Sequence, residues 1–168
     1  VCVLLGGGLR LSHAQQAPPA PTQLPQGGMV TRGSATIGTN IGANNALMIV
    51  NQSSQRAVIN WNSFNVGSNA RVQFNQPNSS AVVLNNILGN NASQIYGQIS
   101  ANGQVFLSNP NGVYFSPTAQ VDVGGLVATT GRANADEFMA GKVSFSRDGS
   151  TGSVVNEGQL RSAVGGYI

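Results

Sequence analysis

The chain has 168 residues, a length suited to one domain, with only 8% charged residues and a formal net charge of +3. Its polarity comes instead from 57 Asn, Gln, Ser and Thr residues, which disfavours coiled coils and charged helical bundles and favours β structure. The single Cys (Cys2) and single His (His13) make a disulfide framework, a Cys/His metal cluster or a Cys/His or Ser/His catalytic pair very hard to build, and the scattered basic residues form no phosphate-binding patch, so no nucleic-acid partner and no cofactor is expected.

Taken in chain order, residues 1–14 look like the end of an export signal: an apolar run from Val1 to Leu5, then Gly6 to Leu11, then small Ser12 and Ala14 at A-x-A-like positions. Cleavage after Ala14 is expected, and the missing basic n-region points to a start inside a longer leader. Cleavage there removes both Cys2 and His13, which suits passage through an oxidising periplasm. Residues 15–28 hold four of the seven prolines and are expected to form a spacer.

From Met29 the pattern is short strands and turns. Ile59 and Trp61 alternate with Asn60 and Asn62, Val72 and Phe74 with Arg71 and Gln73, and Val121 and Val123 flank Asp122. In Ala57 to Val66 the apolar parity changes after Ser63, which predicts a bulge or corner there. Further along the units shorten to four or five residues: Gly103 to Leu107, Gly112 to Phe115, Ala119 to Val123, Gly125 to Ala128, Gly141 to Phe145, Val155 to Leu160 and Gly165 to Ile168. Gly103 and Gly125 lie 22 residues apart, one turn of a parallel β-helix built from three strands and their corners. Coils stacked at about 4.8 Å repel like charges but let amides and hydroxyls bond along the stack, so low charge fits such a fold. An antiparallel sandwich also uses many short strands, and the pattern alone leaves it open. Asp136 to Gly141, acids first and glycine last, is the one convincing helical turn, expected as a small insertion or corner.

The strongest local signal is Asn109-Pro110-Asn111-Gly112-Val113. Pro110 presets φ at the first central position of a type I turn, and Asn111 and Gly112 suit the positions after it. As physics this is a locked corner and names no partner. The only acids available for acid/base chemistry are Asp122, Asp136, Glu137, Asp148 and Glu157. Asp148 to Gly152 lacks the repeated rhythm of calcium-binding β-rolls and the spacing of an EF-hand loop. Trp61, Phe64, Phe74, Phe106, Phe115 and Phe145 sit on alternating faces and are expected in the core. The three Asn-x-Ser sequons match chance for this composition.

These residues, in this order, resemble a known family. Ala57 to Val66, Val72 to Pro77, Gly97 to Ile99 with Asn102 to Leu107, Asn109 to Val113, Gly125 to Thr130, Asp136 to Gly141 and Val155 to Gly158 are similar to the N-terminal two-partner secretion domain of filamentous-haemagglutinin-family adhesins, over residues 29–168. The resemblance implies an all-β fold, a right-handed parallel β-helix with an N-terminal cap, and a role in targeting and nucleating the folding of a large exported adhesin or haemagglutinin. It implies as partner an outer-membrane β-barrel transporter with periplasmic POTRA domains, passage through the periplasm, delivery to the cell surface or medium, and host-cell contact through downstream regions. The transporter-recognition motif carried over is Asn109, Pro110, Asn111 and Gly112, with Val113 where the family has Ile. A second family motif, Asn-Pro-Asn-Leu, is absent; the nearest string is Asn75-Gln76-Pro77-Asn78. Residues 29–56 are expected to supply the cap, and Tyr167-Ile168 stop in mid-repeat, which predicts a fragment. Two rivals of other classes are a β-helical polysaccharide-active enzyme using Asp122 and a stand-alone glycan-binding module.

Overall fold

The computed structural model describes residues 16–168; the leader expected over 1–14 lies outside the described residues. The chain winds as a parallel β-helix of about 4 turns. The strands are β1 (Met29–Arg32), β2 (Ala35–Ile41), β3 (Ala46–Gln52), β4 (Arg56–Trp61), β5 (Ala70–Asn75), β6 (Val82–Ile87), β7 (Ser93–Ile95) and β8 (Gln98–Ala101). They continue as β9 (Gln104–Ser108), β10 (Val113–Phe115), β11 (Gln120–Val123), β12 (Gly125–Thr129), β13 (Arg132–Ala133), helix α1 (Ala135–Met139), β14 (Phe145–Ser146), β15 (Val154–Asn156) and β16 (Gln159–Ser162).

Three sheets form the walls of the coil. A five-stranded sheet runs β1-β4-β6-β9-β12, a six-stranded sheet β16-β11-β8-β5-β3-β2, and a three-stranded sheet β15-β10-β7. Consecutive coils pair in parallel: Arg56 lies beside Val82, Val82 beside Gln104, and Gln104 beside Gly125. This parallel register excludes the antiparallel sandwich. The first coil contributes only a single bridge to the narrow wall, Val66 with Ile95.

Among the strands described in the three walls, the parallel rule is broken at the N-terminal end. β1 runs antiparallel to β4, and β2 antiparallel to β3, so both wide sheets end on strands that fold back over the first coil. The expected cap over 29–56 is thus narrower than the sequence suggested, because β3 already pairs in parallel with β5. The proline-rich segment extends the seal instead of standing clear as a spacer. Leu24 is buried in the main core, Asn69 N–H donates to the Pro21 carbonyl, Gly67 N–H to that of Gln23, and Gln26 bridges Ser63. Proline suits this position because a segment closing an open coil end needs few donors of its own.

The interior follows the two-residue period. Ala57, Ile59 and Trp61, Val72 and Phe74, Val83 and Ile87, Val105 and Leu107, Val113 and Phe115, and Val121 and Val123 form one continuous buried column. The break expected after Ser63 is a corner that begins two residues earlier: β4 ends at Trp61, and Phe64 re-enters the core edge-on to Trp61, with ring centroids 5.4 Å apart. Amides bond from coil to coil, as Asn75 Nδ2 to Asn51 Oδ1 (2.8 Å), Gln76 Nε2 to Gln52 Oε1 (3.1 Å) and Asn86 Nδ2 to Asn60 Oδ1 (3.4 Å). One amide lies inside the column: Asn85, fully buried, accepts from Trp61 Nε1 at 2.9 Å and donates to the Phe106 carbonyl at 3.2 Å.

Two expected units lie elsewhere. Gly141 to Phe145 belongs to no coil; it sits in an insertion between β12 and β15 that holds α1 and the antiparallel pair β13–β14. Helix α1 starts on Asn134, whose Oδ1 accepts from the Asp136 and Glu137 amides, and is followed by Gly141 at φ +91°. Gly165 to Ile168 forms no strand, although the Tyr167 carbonyl accepts from Leu126 N–H beside the last coil. Burial raises the Tyr167 phenol pKa, and the Arg56 charge opposes that rise.

Asn85→Ala strips Trp61 Nε1 of its acceptor in a dry interior, so the urea midpoint is expected to fall by an equivalent of about 1–3 kcal/mol with an unchanged slope. An unshifted midpoint in equilibrium urea unfolding would remove this bond from the account of the core.

Candidate functional site

Asn109 to Val113 joins β9 to β10, at the corner between the five-stranded and three-stranded walls. Gly112 N–H donates to the Asn109 carbonyl at 3.0 Å, which closes a four-residue turn. Neither Pro110 nor Asn111 has positive φ, whereas Gly112 stands at +116°, so a type I turn is followed by a glycine in the region that disfavours other residues. A methyl group at Gly112 would meet the Ser153 carbonyl oxygen at 2.8 Å.

Asn109 is fully buried and makes four side-chain hydrogen bonds. Its Nδ2 donates to the Asn91 carbonyl (3.0 Å) and to Ser93 Oγ (2.9 Å) on the preceding coil. Its Oδ1 accepts from the Asn111 backbone N–H (3.0 Å) and from Asn111 Nδ2 (3.1 Å). Both donors are used, and the oxygen carries two more bonds, so the side chain is saturated. Aspartate at this position would lose both donors and turn a carboxylate toward the Asn91 carbonyl; serine could make at most part of the set. The backbone is tied upward as well, Asn109 N–H donating to the Thr129 carbonyl at 2.9 Å.

The motif therefore divides in two. Asn109, Gly112 and Val113 are buried, Val113 between Ser93 and Val154 in the narrow wall. Pro110 is half-buried and Asn111 exposed, although Asn111 Nδ2 still donates to the Gly89 carbonyl at 2.7 Å. Residues far along the chain complete the corner and carried no signal in the sequence. Ser150 Oγ donates to the Pro110 carbonyl at 2.6 Å, and Gly152 packs so closely that a Cβ there would lie 2.5 Å from the Pro110 oxygen and the Gly112 nitrogen. Only the parallel register, which places Val113 between Ser93 and Val154, could have revealed Ser93 and the 150–153 segment.

The acids are dispersed. Asp122 faces outward on β11 between Ser100 and Arg161, Asp136 pairs with Arg32 at 2.8 Å, Glu137 with Lys142 at 3.7 Å, Asp148 accepts from Ser146 Oγ, and Glu157 accepts from Tyr114 Oη. Among the described residues no three His, Cys, Asp or Glu side chains gather into a metal-binding group. Of the aromatic residues expected in the core, Trp61, Phe64, Phe74 and Phe115 lie in the central column, whereas Phe106 is buried in a second cluster outside it and Phe145 is half-buried against that cluster.

A parallel β-helix sealed at its N-terminal end by antiparallel strands, with a saturated asparagine corner on its flank, places the chain among capped β-solenoid domains. It belongs to the TPS secretion domain family, whose model matches residues 22–168. Two curated relatives are heme/hemopexin-binding proteins of Haemophilus influenzae. One, from strain Rd, is 40% identical over 146 residues, covering 82% of this chain and 15% of the relative. The other is 41% identical over 111 residues, covering 66% of this chain and 12% of its own length. This chain therefore spans less than a sixth of each. Among solved structures, the HMW1 secretion domain from Haemophilus influenzae superposes with a TM-score of 0.73 at 34% identity, over 81% of this chain and 36% of that one. Membership of this family implies an outer-membrane transporter as partner and export across the outer membrane.

Asn109→Ala leaves Ser93 Oγ and the Asn91 carbonyl without that donor and Asn111 N–H without its acceptor, and is expected to cost about 1–3 kcal/mol by urea unfolding. Asn111→Ala, at an exposed position, should cost no more than about 1 kcal/mol. Equal costs for the two substitutions would contradict the division of the motif into buried and exposed halves.

Proposed function

We propose that this chain is the targeting and nucleation module of a longer exported adhesin-like polypeptide. A leader cut after Ala14 delivers it unfolded to the periplasm, where POTRA domains of its transporter engage it, and outside the cell its first coil templates those that follow. The observation that carries this reading is the family match over 22–168, joined to a cap that seals the N-terminal end. Host-cell contact and any other activity of the whole protein reside in regions beyond this domain, and the module itself performs no catalysis. The dispersal of the acids supports this over the enzyme alternative.

Burial also bears on how the motif acts. Asn109, Gly112 and Val113 are out of reach in the folded domain, so a transporter that reads the whole of Asn109, Pro110, Asn111, Gly112 and Val113 does so before the corner closes. Folding then removes the recognised segment from its receptor. The free energy of folding outside opposes return, because any process that depletes the unfolded chain pulls the equilibrium toward the exported state.

The test is secretion through the cognate transporter for wild type, Asn109→Ala, Asn111→Ala and Ser93→Ala, with the urea stability of each variant measured alongside. Ser93→Ala removes a partner of Asn109 but leaves the motif intact. Export is expected to fall for both asparagine variants, Asn111→Ala included despite its near-native stability, and to persist for Ser93→Ala. Export that simply tracks stability across the three variants would reduce the motif to a corner and defeat the recognition reading.

A further inference from the structure

Outward positions on β5, β8 and β11 of the six-stranded sheet are polar, among them Arg71, Gln73, Asn75, Gln98, Gln120 and Asp122, and the outward apolar residues of that sheet, Leu47 and Ile49 of β3, stay partly exposed. The outside of the five-stranded sheet is different. Val58 of β4, Val82 and Leu84 of β6 and Phe106 of β9 point away from the central column, yet all four are at most 4% exposed. Their main cover is the insertion that leaves the solenoid after β12 and rejoins it at β15, and Tyr167 beyond it adds an edge contact to Phe106, with ring centroids 6.4 Å apart. Phe138 of α1 is fully buried against them, with its ring centroid 5.9 Å from that of Phe106, and Phe145 approaches Phe106 at 6.2 Å.

This cover is attached in a particular way. Its backbone hydrogen bonds run within itself, from Phe138 N–H to the Asn134 carbonyl, from Ala140 to Asp136, from Gly141 to Phe138, and across the β13–β14 pair. Contact with the coils is made by side chains: the apolar cluster, Arg56 with its guanidinium carbon 5.2 Å from the Phe138 ring centroid and Nη1 donating to the Phe138 carbonyl at 3.2 Å, the exposed Arg32–Asp136 pair, and at the far end Ser150 Oγ donating to the Pro110 carbonyl at 2.6 Å. An exposed pair of this kind contributes little, so apolar burial holds the segment down. The coils beneath, by contrast, complete their ladders without it, β4 to β6 to β9 to β12. In chain order the cover also comes after every strand it covers.

We infer that residues 132–150 form a strap that closes last, over coils already stacked. The domain then passes through a stage in which the ladders are complete and an apolar stripe of Val58, Val82, Leu84 and Phe106 lies on its outer surface. Strap closure converts that sticky exterior into the finished one, and in a chain emerging N-terminus first the stripe stays open until residue 145 is clear. The inference rests on the seed reading above only for its role in export; the order of closure is a property of the fold.

Refolding of the chain from urea tests it, with pulse-labelled amide exchange, fluorescence of Trp61, the only tryptophan, and binding of anilinonaphthalenesulfonate followed together. Trp61 burial and protection of amides in β6 and β9 are expected in an early phase, accompanied by dye binding. Protection of the Phe138, Ala140 and Gly141 amides, with release of the dye, is expected in a later one. Phe138→Asp should keep the early phase and make dye binding permanent. Simultaneous protection of strap and coils without dye binding, or loss of Trp61 burial in Phe138→Asp, would overturn the inference. Export of the variants in the secretion assay is a separate readout, so failure here leaves the targeting reading standing.

Discussion

Each strand in the wall of a parallel coil needs a neighbour on both sides for its backbone N–H and C=O groups, and it takes those neighbours from the coils before and after it. A coil alone satisfies almost none of these groups. The structure of this domain follows from that constraint. At the N-terminal end the missing neighbours are replaced by β1 and β2, which run antiparallel and so can fold back from a short connection, whereas a parallel replacement would need another complete turn. The segment around Leu24 closes the remaining end of the column. A sealed first coil is thus the only coil that does not depend on an earlier one, which is the property the proposed nucleating role requires.

The same stacking dictates the composition. Side chains at equivalent positions of successive coils lie one above another, so a charge at one level acts on its neighbours at close range. Asn51 beneath Asn75, and Gln52 beneath Gln76, turn that proximity into hydrogen bonds. Asp122 lies between Ser100 and Arg161, where no like charge meets it. The scarcity of Lys, Arg, Asp and Glu is therefore a consequence of the fold, and the excess of amides has a structural use at each level of the stack.

This also explains what could be read before the structure was in hand. Strand alternation at Ile59 and Trp61, the corner after Ser63, the turn at Pro110 and the caps of α1 are local, since period, turn chemistry and capping are set within a few residues. The docked prolines were not legible, and the strap was legible only as the small helical insertion at Asp136 to Gly141, for the opposite reason. Leu24 is core only because an open coil end happens to need a plug, and Gly141 to Phe145 has the look of another rung until Val58, Leu84 and Phe106 are found pointing outward beneath it. A strand whose two faces are both apolar, as in Ala57-Val58-Ile59, is a second trace the strap leaves in the sequence. The asparagine corner was half legible in the same sense: the turn shows in Pro110 and Gly112, but Ser93, Ser150 and Gly152 reach it only through coil register.

The corner and the seal are linked through the order of folding. If the transporter reads the motif as proposed, the chain is readable while unfolded and ceases to be so once folded. A motif that stays on the surface of the folded domain cannot make that distinction, and one buried in the column would be too apolar to stand out from the many other apolar strands of the chain. On the recognition proposed above, Asn109 would suit both requirements, because an asparagine beside a proline is polar and conformationally restricted in the open chain, yet becomes fully buried at no polar cost once Asn91, Ser93 and Asn111 are in place. Those partners come from the preceding coil and from the turn itself, so the switch from accessible to hidden requires the coil before it, and that coil requires the cap.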